Sequence, residues 1–201
     1  MLAILTVLGS SLLGLAPTAT ATTARQKAQK HVRRHRARAA SVCAGAGAPV
    51  GSTSAEALKS TVVCLINQQR VLHHLPPLLA SRLLNRSAQG WTDVMVSSDQ
   101  FTHGTNFASR ISAVGFVWRA AGENIATGYS TPRGVVRAWM ASTGHCENIL
   151  NPTYREIGTG VSTRPVRGFA TGTGTWTQDF ALGMKQSPPS NNFGPADGCP
   201  Y

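Results

Sequence analysis

The chain has 201 residues and a formal net charge of +11 at pH 7, with 42% hydrophobic, 13% charged and 6% aromatic residues. A chain of this length and hydrophobic content can form one packed domain with appendages. Seven basic residues fall within residues 25–38, where there is no acidic residue, and the remainder carries a net charge of only +4. These numbers exclude a strongly basic folded surface and place the basic character in a tail.

The first 21 residues are typical of an export signal. Residues 2–15 form an apolar stretch of signal-peptide length that is too short to span a bilayer. Ala19-Thr20-Ala21 fits the small-x-small cleavage pattern, although no Lys or Arg precedes the apolar stretch. We therefore expect a signal peptide at 1–21, no transmembrane helix and a secreted protein.

Residues 22–42 form a basic linker that contains the charge run of Arg25, Lys27, Lys30, Arg33, Arg34, Arg36 and Arg38. Runs of like charge are usually solvated and disordered, so one hypothesis is a spacer without a specific partner. The other hypothesis is attraction to an anionic wall polymer, membrane surface or nucleic acid. No aromatic residue is interleaved with the run, which argues against base stacking and a nucleic-acid partner.

Helical spacing dominates the first part of the expected domain, residues 43–186. Ser54 is a candidate N-cap, and apolar residues from Leu58 to Ile66 predict a first helix that ends before Pro76-Pro77. Further helices are predicted over about 80–96, over 107–114, from Thr131 with Pro132 at its first position, and from His145 to Asn151.

Two strand patterns follow, at residues 158–163 and 173–180, where β-branched or aromatic residues alternate with others. Four or five helices enclosing a short antiparallel sheet predict an α-β-α sandwich of the α+β class. Residues 187–201 are rich in Pro, Asn and Gly, and we expect a surface tail tethered by Cys199.

The four cysteines are Cys43, Cys64, Cys146 and Cys199, with no C-x-x-C pair. An even count behind an export segment indicates two disulfides, for which three pairings are open. We expect Cys43–Cys64, which would hold the N-terminal arm to the first helix. The second bond, Cys146–Cys199, would then hold the C-terminal tail beside the candidate pocket.

Four segments place polar groups among apolar neighbours: Phe101-Thr-His103, Gly122-Glu-Asn-Ile125, Trp139-Met-Ala-Ser-Thr-Gly-His145 with Asn148-Ile-Leu150, and Trp176-Thr-Gln-Asp-Phe180. In this order and spacing, together with Cys64-Leu-Ile-Asn-Gln-Gln-Arg70 and Leu75-Pro-Pro-Leu78, they resemble the bacterial, SCP-like branch of the CAP family (cysteine-rich secretory, antigen-five and pathogenesis-related proteins). The resemblance covers about 120 residues and implies the CAP fold.

The resemblance also implies a cleft in which His103 and His145 face Glu123 and can hold a divalent metal such as zinc. Two imidazoles and a carboxylate are suitable zinc ligands. Residues 140–144 lack the second acidic residue of many animal and plant members, and Glu147 should point away from His145. We therefore expect a three-residue site with Ser142 as a hydrogen-bonding neighbour.

Glu123 has two interpretations: a candidate general base, or a structural carboxylate that accepts backbone N–H groups in a buried loop. Asn124 is better explained as a structural residue that satisfies loop backbone groups. A serine-hydrolase elbow and an H-E-x-x-H zinc motif are both absent from the sequence.

Three functional hypotheses remain. The favoured one is an extracellular, monomeric binding module for a lipid, a sterol or another small apolar ligand, or for a cell-wall polymer. A metal-dependent hydrolase of peptide, glycan or ester bonds is the second, and the residues leave open whether any reaction is catalysed. The third is a wall-associated adhesion or stress protein that uses the basic tail as an anchor.

Overall fold

The computed structural model describes residues 43–188, together with Gln26 and Cys199. Residues 43–188 and Cys199 belong to one compact unit. The expected signal peptide and basic linker, at 1–42, fall outside the described residues except for Gln26, as does most of the tail at 187–201. Within the described ranges, no helix is long and apolar enough to cross a membrane.

Five helices occur in the described part: α1 Ala55–Leu72, α2 Arg82–Ser98, α3 Phe107–Ala113, α4 Pro132–Met140 and α5 Thr143–Ile149. Capping side chains fix where three of them begin. Ser54 accepts a hydrogen bond from the Ala57 amide before α1, Asn106 caps α3, and Thr131 caps α4 ahead of Pro132. An N-cap oxygen satisfies an amide that has no partner within the helix, so these sites define the helix starts.

The described sheet has four strands: β1 Leu79–Ala80, β2 Trp118–Thr127, β3 Glu156–Ser162 and β4 Thr175–Gly183, in the order β1-β3-β4-β2. β4 pairs antiparallel with β3 and β2, whereas β1 pairs parallel with β3. The expected α+β sandwich is confirmed. The loop expected around Gly122-Glu-Asn-Ile125 is wrong, because these residues form the middle of β2.

The sheet is covered on both faces. Trp176 and Phe180 of β4 pack in one cluster with Ile66 of α1 and Trp139 of α4. On the opposite face, the Thr177 hydroxyl lies 2.8 Å from that of Thr92 in α2. Because successive strand residues point to opposite faces, β4 contributes side chains to the packing on both faces of the sheet.

Two contacts hold α5, the helix that carries His145, against the rest of the domain. Arg70, at the end of α1, is fully buried and donates to the carbonyl oxygens of Ile149 and Asn151 at 2.8 and 2.9 Å. Asn148 donates to the backbone oxygen of Glu123 in β2 at 3.1 Å. Buried and partly buried hydrogen bonds therefore hold α5 against α1 and β2.

Both disulfides have the expected pairing. Cys43 bonds to Cys64 of α1, and Cys146 of α5 bonds to Cys199. The first ties the segment before α1 to that helix, and the second ties Cys199 to the helix that carries His145.

Candidate functional site

A cleft of about 620 Å³ opens beside β2, the strand at one edge of the described sheet. Three consecutive residues of β2, Ile125, Ala126 and Thr127, line it. Because consecutive strand residues point to opposite faces of the sheet, the cleft extends around the edge of the sheet at β2. Its walls combine aromatic, aliphatic and hydroxyl side chains with two histidines: Phe101, Thr102, His103, Ile125, Ala126, Thr127, Tyr129, Ala138, Trp139, Ser142, His145 and Phe169.

Glu123 lies behind this cleft and does not line it. Its side chain is only 1% exposed, and one carboxylate oxygen lies 2.8 Å from His103 Nδ1. The other oxygen accepts a hydrogen bond from the Arg110 guanidinium. The structure therefore brings His103 and Glu123 together, but with Glu123 held by side chains rather than by backbone N–H groups.

Arg110 is a site residue that the sequence analysis missed. It stacks over the Trp91 ring, 3.9 Å from the centroid, and donates to the backbone oxygen of His103 at 3.0 Å. It therefore orients both the histidine and the glutamate. In the sequence, Arg110 is a single arginine in the short helix between the segments that contain His103 and Glu123. Apolar periodicity does not distinguish such a residue from any other surface arginine.

His145 approaches from the opposite side of the edge strand. Its Nδ1 lies 2.9 Å from the Ser142 hydroxyl, and its backbone oxygen accepts from Asn124 at 3.1 Å. Burial lowers the pKa of His145 below its ordinary 6.5, and the nearby charge of His103 lowers it further. At pH 7 the His145 imidazole is therefore neutral.

Asn124 occupies the centre of this side of the site. It is fully buried and also exchanges hydrogen bonds with Gln178 of β4 and Asn148 of α5, at 3.3 and 3.0 Å. These contacts cross-link the sheet and α5. They fit the structural role expected for Asn124, although in a strand rather than a loop.

Asp179 stands in one of the four segments singled out from the sequence, but no role was predicted for it. It lies beside Glu123 on the neighbouring strand β4. It is 1% exposed, and neither its carboxylate oxygens nor the Ser87 hydroxyl has a partner in hydrogen-bond geometry among the described residues. Burial raises the pKa of Asp179 to about 7. The adjacent Ser87 hydroxyl and Arg110 charge act in the opposite direction, while the Glu123 charge adds to the increase.

The expected metal ligands do not form one group in this geometry. The described ranges contain no cluster of three or more His, Cys, Asp and Glu side chains that could hold a metal ion. The physical reason is the strand: Glu123 points to the face that carries Arg110, whereas its neighbour Asn124 points toward α5 and His145. The donor set therefore does not fit a zinc ion in this arrangement.

Residues 63–180 match the family model described as the cysteine-rich secretory protein family, CAP. The uncharacterized protein YkwD of Bacillus subtilis (strain 168) is 36% identical over 133 residues, which cover 64% of this chain and 48% of YkwD. A second B. subtilis relative, the uncharacterized membrane protein YlbC, is 30% identical over 104 residues, or 50% of this chain and 30% of YlbC. The chain therefore spans less than half the length of these relatives.

Solved structures give the same fold. An extracellular protein containing an SCP domain from Bacillus anthracis matches with a TM-score of 0.55 and 25% identity, over 65% of this chain and 44% of that one. An outer surface protein from Borrelia burgdorferi matches with a TM-score of 0.54 and 21% identity, over 61% of this chain and 90% of its own. Because the family model covers more than half of the sequence, the chain belongs to the cysteine-rich secretory protein (CAP) family.

Proposed function

We propose that this chain is a secreted binding module that takes a small apolar ligand, or the apolar part of a cell-wall component, in the cleft beside β2. The observation that carries the proposal is the cleft itself. Its volume of about 620 Å³ is within the usual range for small-molecule sites. Apolar side chains make most of its wall, with a few polar groups among them.

The rim of the cleft supports this proposal because it exposes aromatic surface. Phe169 is 56% exposed, and its ring centroid lies 5.9 Å from that of Phe101. The loop that carries Phe169 is tied to the end of α2 by the ion pair between Arg167 and Asp99, at 2.8 Å. An exposed aromatic ring on a tethered loop, packed against the half-buried Phe101, can cover a ligand with little loss of conformational freedom.

His145 would give such a ligand a polar contact without adding a charge to the wall. His145 is neutral at pH 7, since its pKa is lowered by burial and by His103. Covering a neutral imidazole that already contacts Ser142 costs less than covering a charged group.

The geometry gives less support to the metal-dependent hydrolase. A general base must reach a water molecule in the cleft. Glu123, the candidate base, has a side chain that is 1% exposed, and both of its oxygens are engaged by His103 and Arg110. Binding is therefore the function that these residues support better.

Secretion is part of the proposal. Two disulfides are expected in a protein that matures in an oxidising compartment. The relatives of known structure are described as an extracellular protein and an outer surface protein. The basic linker at 22–42 would then face the cell exterior, where an anionic wall polymer or membrane surface could attract it.

The test is binding of an uncharged apolar probe, 1-decanol, to the oxidised, secreted form of the protein, measured by calorimetry. Phe169→Ser should weaken binding by about tenfold, because it removes apolar surface at the rim. Met184→Ser is the matched control: Met184 is 53% exposed but does not line the cleft. Equal affinities in all three proteins, or no binding to the native protein, would contradict the proposal.

A further inference from the structure

The face of the sheet that packs on α2 contains a buried polar layer. Asp179 of β4 lies on the same face as Thr177, the residue that contacts α2, and directly opposite Glu123 of β2 in the strand register. Apolar residues adjoin this layer along the strand: two positions from Glu123 in either direction, Ala121 packs against one apolar cluster and Ile125 belongs to another. The polar groups between the two clusters are therefore shielded from solvent along the strands.

Four buried polar atoms in this layer form no hydrogen bond to any part of the chain that the structure describes. They are both carboxylate oxygens of Asp179, the Ser87 hydroxyl and Arg110 Nε. Asp179 is 1% exposed, and Ser87, on α2, is 4% exposed. The Ser87 hydroxyl and the Arg110 guanidinium are both close enough to Asp179 to shift its pKa, so the four atoms are neighbours. Buried polar atoms that lack a protein partner are usually bonded to an ordered molecule or ion.

The chemistry of these four atoms indicates which ligand they can hold. Arg110 Nε–H can only donate, the Ser87 hydroxyl can donate and accept, and the Asp179 carboxyl keeps acceptor capacity in either protonation state. A cation would satisfy only the acceptors and would lie beside the Arg110 guanidinium. An anion would satisfy only the donors and would lie near the Glu123 carboxylate. A water molecule both donates and accepts, and a buried one typically makes about three hydrogen bonds.

We propose that Ser87, Arg110 and Asp179 hold one internal water molecule between α2 and the sheet. The water would accept a hydrogen bond from Arg110 Nε–H and donate one to an Asp179 oxygen, with the Ser87 hydroxyl as its third partner. None of these three residues lines the cleft, so the inference does not depend on the proposed function. It adds Ser87 and Asp179 to the buried groups that support Arg110 and, through Arg110, hold Glu123.

The first test is a high-resolution crystal structure of the oxidised, secreted form of the protein. We expect one fully occupied water within about 3.2 Å of Ser87 Oγ, Arg110 Nε and an Asp179 carboxyl oxygen. Direct hydrogen bonds from Ser87 and Arg110 to Asp179, with no water between them, would overturn the proposal. So would a metal ion in this place, which would be recognised by ligand distances of about 2.5 Å or less.

The second test counts long-lived internal waters in solution by oxygen-17 magnetic relaxation dispersion. Ser87→Val replaces the hydroxyl with methyl groups that would occupy the place of the water, so we expect one long-lived water fewer than in the native protein. The matched control is Ser97→Val, on the same helix, where the hydroxyl is exposed and bonds to the Val94 carbonyl. We expect it to leave the count unchanged.

The two variants also separate loss of the site from a general effect of the substitution. An unchanged count in Ser87→Val would overturn the proposal, as would the same loss in Ser87→Val and Ser97→Val. Circular dichroism would verify that both variants fold. The crystal structure of the native protein decides the question by itself if Ser87→Val does not fold.

Discussion

Arg110 connects the polar residues of the site, since it contacts Glu123, the backbone of His103 and the Trp91 ring. Replacing it would remove the guanidinium that compensates the buried Glu123 carboxylate beside Asp179 and would leave His103 as the remaining side-chain partner. An uncompensated buried charge is costly, so Arg110→Met should lower the free energy of unfolding by about 3–5 kcal/mol, measured by urea denaturation. Arg119→Met, at an exposed position, should change it by less than about 0.5 kcal/mol.

A double variant isolates the charge from the packing. Arg110→Met/Glu123→Gln removes both partners, so it should recover part of the stability that Arg110→Met loses. If Arg110→Met were no more destabilising than Arg119→Met, Arg110 would not be needed to compensate the Glu123 charge.

Asp179 should make stability depend on pH. Its pKa rises from an ordinary 3.8 to about 7 in the folded protein. The folded state therefore binds more protons than the unfolded state between these values, and the stabilising contribution is lost as pH increases from about 4 to about 7. Asp179→Asn removes this loss. From pH 4 to pH 8, the free energy of unfolding of the variant should therefore increase by on the order of 3 kcal/mol relative to that of the native protein.

Urea denaturation of both proteins across this pH range measures the effect. His145 has the opposite tendency, since its lowered pKa reduces stability as the pH falls through and below 6.5, but it is present in both proteins and cancels in the difference. A difference in unfolding free energy that is constant with pH would show that Asp179 is ionised throughout the range.

Among the elements, α2 and β3 pack so closely that glycine is required between them. A Cβ atom on Gly160 would lie 2.3 Å from the backbone oxygen of Ala88, and one on Gly158 would meet the Leu84 backbone. Backbone atoms cannot move aside as a flexible side chain can, so Gly160→Ala should destabilise the protein by about 3 kcal/mol or more in thermal or urea unfolding.

The control for this prediction is Gly90→Ala within α2. No atom lies within 4 Å of a Cβ built there, and alanine is favoured over glycine in a helix by up to about 1 kcal/mol. We expect that variant to be at least as stable as the native protein. Similar stability losses in the two variants would contradict the close packing of β3 on α2.

Some of the helices and strands could be predicted from the sequence, and others could not. α1 and α4 could be predicted with their starts, because apolar periodicity and the capping residues Ser54 and Thr131 are local signals. β2 was missed because its centre carries Glu123 and Asn124, which look like loop residues until their buried partners are known. β1 has only two residues, too few for any periodicity.

The residues of the candidate site could also be predicted only in part. His103, Glu123 and His145 stand in recognisable motifs, and the structure places the two histidines on one cleft with Glu123 behind them. Arg110 carries no local signal, and Asp179 stands in one of the four segments singled out from the sequence but is not distinguished there from its neighbours. The importance of both residues comes from their positions beside Glu123, 13 and 56 residues away in the sequence. Pairings of this kind depend on strand register and cannot be read from one sequence.

For the whole molecule, the two disulfides should contribute unequally to stability. They join residues separated by 21 and 53 positions. The chain-entropy model assigns more stabilisation to the longer loop, about 4 kcal/mol against about 3 kcal/mol. Urea unfolding of Cys43→Ser/Cys64→Ser and Cys146→Ser/Cys199→Ser tests this order. A larger loss in the first variant would mean that native contacts, rather than loop entropy, set the contributions.

Whether the cleft beside β2 binds an apolar ligand can be measured directly. The oxidised, secreted form of the protein is titrated by calorimetry with 1-decanol and, separately, with zinc. The same titrations are made on Ala138→Trp, which fills the cleft from α4, and on His103→Ala/His145→Ala. We expect saturable decanol binding that Ala138→Trp abolishes, and zinc heats that are the same with and without the two histidines. Micromolar or tighter zinc binding that His103→Ala/His145→Ala loses, in a protein that binds no decanol, would show that the cleft is a metal site and not an apolar one.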